Sequence, residues 1–85
     1  MDKEKFMEEL ENKAAAAIKY ALKNAKKAED ENDKAAILNI EFWIGQYQAY
    51  KSLMNDLDHE KYVELHRKYR NEFTECQCVI YELYH

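Results

Sequence analysis

The sequence predicts an all-α fold: an up-down-up three-helix bundle of long antiparallel helices, packed with a second copy as a homodimer. Three observations carry this expectation. Apolar residues recur every three or four positions through three long segments, which is the period of an α-helix. There is no proline and only one glycine to interrupt those segments. The breaks between them are short runs of Asp, Asn and Glu, and helices joined by short turns pack as antiparallel neighbours. A chain of 85 residues with this composition makes one domain.

The first helix is expected over about residues 3–29, with Asp2 as its N-cap. Phe6, Met7, Leu10, Ala14, Ala17, Ile18, Ala21, Leu22, Ala25 and Ala28 share one side. That side is rich in alanine, so a neighbouring helix can approach closely. The opposite side carries Lys5, Glu8, Glu9, Asn12, Lys19, Lys23, Lys26 and Lys27 and faces water. The run Glu29 to Asp33 breaks the pattern, and its short side chains can bond the backbone locally. A turn is placed there, with Asn32 or Asp33 capping the next helix, the alternative being a continuous charged segment of one long helix.

The second helix, over about residues 33–56, is apolar on two opposite sides at about 100° per residue. One stripe is Ala36, Ile40, Trp43, Tyr47, Tyr50, Met54 and Leu57, a seam for the other helices. The other is Leu38, Phe42, Gly45, Ala49 and Leu53. A helix with two apolar faces lies between two layers, and a three-helix monomer supplies only one. Gly45 and Ala49, four residues apart, form a small-xxx-small pair that lets another backbone come close. This second stripe, with Tyr81 and Tyr84 near the end of the chain, is the expected dimer or partner interface.

The third helix is expected over about residues 59–84, capped by Asp58, with Glu60 in its first turn where negative charge suits the helix dipole. Its seam is Tyr62, His66, Tyr69, Phe73, Cys76, Ile80 and Leu83, widened by Leu65 and Val79. Seven tyrosines in all suit a protein that works through interfaces, since tyrosine combines a large apolar ring with a polar tip.

No constellation for chemistry emerges. His59 and His66 are seven apart, not the three or four that place two metal ligands on adjacent turns. His66 is expected to pack its ring on a tyrosine. Cys76 and Cys78 project to nearly opposite sides of a helix and read as reduced thiols. Cys76 falls on the seam, where burial raises a thiol pKa and makes it inert. Glu72, at the seam's edge, is expected to be partly buried and bonded to a tyrosine hydroxyl or a lysine. No catalytic residue, metal or cofactor is therefore expected.

Lys19, Lys23, Lys26 and Lys27 form a strip on the first helix that could bind an anion, although four acidic residues follow it directly. The net charge of −4 argues against general attraction to nucleic acid. No stretch approaches the roughly 20 apolar residues of a membrane span. The charged start lacks the apolar core of a secretory signal, so the expected location is cytoplasmic.

Trp43-Ile44-Gly45 resembles the W-x-G element of small helical-hairpin proteins exported by type VII secretion systems. That resemblance implies a turn between two helices at these residues. Here they lie inside a strongly periodic segment, and no Tyr-xxx-Asp/Glu export element follows, so no function is carried over. The functional expectation is a small non-catalytic regulatory, inhibitory or immunity-type protein that binds another protein. The alternative is a ligand or nucleic-acid binder acting through the lysine strip.

Overall fold

The computed structural model describes residues 2–84, with the backbone alone at Tyr84. It is all-helical: α1 Lys3–Glu31, α2 Ala35–Leu57, α3 His59–Lys68 and α4 Arg70–Tyr84. Asp2 caps α1 by accepting from the backbone N–H groups of Glu4 at 3.0 Å and Lys5 at 3.4 Å. Asp58 caps α3 by accepting from the Lys61 N–H at 3.3 Å. Each bond satisfies donors that a helix start leaves without an intrahelical partner.

The turn between α1 and α2 is made without glycine. Asn32 adopts a left-handed conformation (φ 50°, ψ 42°), which asparagine tolerates better than most residues. The Asp33 N–H then donates back to the Ala28 carbonyl at 3.1 Å, closing the end of α1. The Asp33 side chain accepts from the Ala35 N–H at 3.0 Å. The N-cap of α2 is Lys34, whose side chain makes no cap bond, rather than Asn32 or Asp33 as expected; Asp33, one residue earlier, supplies the bond to Ala35, and Asn32 makes the turn.

The single third helix expected over 59–84 is instead two. Tyr69 separates α3 from α4 with φ −111° and ψ 14°, outside the helical region. Its N–H still donates to the Leu65 carbonyl at 3.1 Å, and its carbonyl accepts from Phe73 at 3.0 Å, so the chain continues in much the same direction. No glycine or proline marks the place, and the local residues do not explain it. Trp43, Ile44 and Gly45 lie within α2, not in the turn that the W-x-G resemblance implies.

Two clusters form the core. In one, Met7 to Ile18 of α1 meet Tyr47 and Met54 of α2 and Leu65 of α3. In the other, Ala21, Ala25 and Ala28 of α1 meet Ala36, Ile40 and Ile44 of α2 and Cys76 and Val79 of α4. The start of α1 is thus beside the end of α2, and the end of α1 beside its start. The two are antiparallel, and α3 followed by α4 returns along the direction of α1. Met7, Ala14, Ala21 and Ala28, seven apart, are all buried, which makes the close-packed small face expected of the first helix. The molecule measures 44 × 19 × 15 Å, and none of its described helices is long and apolar enough to cross a membrane.

Candidate functional site

The two sides of α2 have opposite fates. Ala36, Ile37, Ile40, Ile44, Tyr47, Lys51 and Met54 are buried against the other helices. Leu38, Phe42, Gly45, Ala49 and Leu53 are all exposed. Leu38 keeps 66 % of its surface, Phe42 56 % and Leu53 41 %, so an uncovered apolar face runs nearly the length of the helix. At Gly45 an added Cβ would meet nothing within 4 Å. No contact inside the chain therefore calls for glycine there.

Aromatic rings brace this face from below. Phe42 meets the Trp43 ring edge-on at 5.0 Å, and Trp43 stacks on Tyr20 of α1 at 4.8 Å. Lys34 and Asp56, one near each end of α2, are exposed. At 100° per residue both fall within about 60° of the stripe's centre line.

Tyr81 on α4, assigned to the interface with the stripe, is 66 % exposed. It borders a shallow hollow of about 410 Å³ lined by α4 alone, including Phe73, Gln77 and Cys78. That hollow does not join it to the outer face of α2. The Tyr84 side chain, also assigned to the interface, lies outside the described residues.

Lys19, Lys23, Lys26 and Lys27 are exposed on α1. Lys19 shares a hollow of about 330 Å³ with Lys68, but Glu11 and Glu64 line it too. Exposed Glu29, Asp30 and Glu31 follow the strip. Carboxylates at both ends reduce the field an anion would feel.

The sequence reading missed Lys51. It is only 7 % exposed, and its Nζ lies 4.8, 5.4 and 5.7 Å from the ring centres of Tyr47, Phe73 and Tyr62. Nζ is also 2.9 Å from His66 Nδ1. An ammonium donating there requires a neutral imidazole with its lone pair on Nδ1. His66 in turn stacks on Tyr62 at 6.1 Å, the tyrosine packing expected of it. Among the described residues the one ion pair is Lys61–Glu64, so no carboxylate neutralises Lys51. Burial pushes its amine below the usual lysine range, while the three ring faces favour the cation.

Nearby, Tyr47 Oη and Glu72 Oε2 are buried without a hydrogen-bond partner. This corrects the expectation that Glu72 bonds a tyrosine or a lysine. Burial pushes the Tyr47 phenol up to about 12, with Tyr69, Glu72 and Tyr62 adding to the effect. Burial likewise pushes the Cys76 thiol up to about 11, helped by Glu75 and Glu72. Cys76 is therefore held as a thiol, in keeping with an inert core residue. A hollow of about 260 Å³ bordered by Gln48, Ser52, Asn55 and Tyr62 also touches Lys51. Among the described residues no group of three His, Cys, Asp or Glu side chains is placed to hold a metal ion.

Comparison of the chain with protein-family models, curated proteins and solved structures returns no significant match.

Proposed function

We propose that this protein acts by binding, as a small regulatory, inhibitory or immunity-type interaction module, and that the outer face of α2 is its principal docking surface. In this reading the four helices form an up-down-up bundle of three rods, and two such bundles pair through that face. The supporting observation is the continuous exposure of Leu38, Phe42 and Leu53 along one side of a helix already packed on its other side. Scattered exposed apolar residues are ordinary, but an aligned set that runs the length of a helix is the pattern of an interface. Pairing would give α2 the second layer that its two apolar stripes call for.

Light scattering after gel filtration tests the reading. Wild-type protein should have twice the 10.2 kDa mass of one chain. Leu38→Glu with Phe42→Glu should reduce it to one chain while far-UV circular dichroism stays helical. A wild-type monomer at all concentrations would refute self-association.

A further inference from the structure

We infer that the partner on this face is a second copy of the chain running antiparallel, with the twofold axis passing between Gly45 and Gln46. The inference rests on the interaction reading above and deepens it. In an antiparallel pair of identical helices, each residue i faces residue j of the copy, and i + j is constant. Centred between Gly45 and Gln46, that rule sets Leu38 opposite Leu53 of the copy and Phe42 opposite Ala49. All five residues of the exposed stripe thus fall on or beside a partner position.

The sizes match as well as the positions. Phe42, the largest side chain of the stripe, meets Ala49, and Gly45 sits at the axis, where the backbones come closest. That close approach gives the glycine a role that nothing within the protomer provides, since a Cβ there would meet open space. A parallel pair would instead set Phe42 on Phe42 and Ala49 on Ala49, crowding one place and leaving a gap at the other.

Charge points the same way. With a rise of about 1.5 Å per residue, Lys34 lies about 17 Å from the axis and Asp56 of the copy about 16 Å on the same side. Opposite charges then meet at both ends of the contact. A parallel pair would place Lys34 beside Lys34 and Asp56 beside Asp56. The axis also falls at the middle of Ala35–Leu57, so the two copies of α2 overlap along their full length.

Disulfide trapping tests the geometry, in a Cys78→Ser background that removes the exposed thiol. A bridge needs Cα atoms within about 7 Å. Mixing Leu38→Cys protein with Leu53→Cys protein under mild oxidation should give a linked dimer. Leu38→Cys alone should not, because its two copies lie about 22 Å apart along the axis.

A second test is charge reversal. Lys34→Glu alone should weaken dimerisation roughly fivefold at low salt, and adding Asp56→Lys should restore it. Efficient linking of Leu38→Cys with itself, or no linking in the mixture, would overturn the antiparallel register while leaving a dimer intact. A wild-type protein that is monomeric by mass would overturn the interaction reading along with it.

Discussion

At the residue scale, the polar groups within the core behave differently from the apolar ones. The Tyr47 hydroxyl is buried with no partner, and an orphaned buried donor costs about 1–3 kcal/mol. Tyr47→Phe keeps the ring and removes the orphan. Urea unfolding of this variant should show a gain of about 1 kcal/mol, and a loss of that size would mean that the hydroxyl is satisfied. Lys51 is a closer balance. Replacing an unneutralised buried ammonium with an apolar chain of similar length is often neutral or stabilising, but three aromatic faces and His66 Nδ1 offset part of its desolvation. Lys51→Met should therefore change stability by less than about 1 kcal/mol. A much larger loss would identify the caged cation as a stabilising element.

The titrations give a pH dependence with a defined sign. Cys76 and Tyr47 hold their protons to about 11 and about 12 in the fold, against 9.0 and 10.0 ordinarily. Between those values the unfolded chain has lost protons that the fold retains, so stability falls as pH rises from 9 to 12. Lys51, whose lowered value leaves the unfolded chain holding the extra proton, acts in the opposite sense up to 10.5. The two large upward shifts outweigh the single downward one, so the net effect toward pH 12 is a loss of stability. In Cys76→Ala, melting curves should show the fall beginning nearer pH 10. An unchanged onset would contradict the assigned burial of this thiol.

At the element scale, what was legible in the sequence was periodicity and capping. The buried side of α1, the tyrosine seam of α2 and the caps Asp2 and Asp58 follow from spacing and from short polar side chains, and those are local properties. The break at Tyr69 was not legible, because only its backbone angles mark it and its neighbours are ordinary helix residues. Lys51 was missed for a different reason. It lies about 40° round the helix from Tyr47, on the edge of the seam, and a charged residue at an edge is ordinarily solvated. Only the convergence of Tyr62, His66 and Phe73 from α3 and α4 encloses it.

Gly45 offers a test confined to one element. Because a Cβ meets nothing within the protomer, Gly45→Ala should stabilise the isolated fold by about 1 kcal/mol through helix propensity. The same methyl at the dimer axis should weaken association. Thermal melts at low concentration and dilution series at high concentration would read the two effects separately. A gain in both would place Gly45 away from any contact.

At the scale of the whole molecule, two helix faces determine how the protein can work. Alanines spaced by seven on α1 let α2 pack closely on one side, which leaves the opposite side of α2 outermost and apolar. With that side paired against a second copy, function is sought on the outer faces of the dimer. Small-angle X-ray scattering from the wild-type protein in solution tests this account most directly, because it reports mass and length together. A particle of twice 10.2 kDa that widens while its long axis stays near the 44 Å of one chain is the predicted result, since antiparallel copies of α2 overlap fully. A single-chain mass at every concentration, or a dimer approaching twice that length, would contradict it.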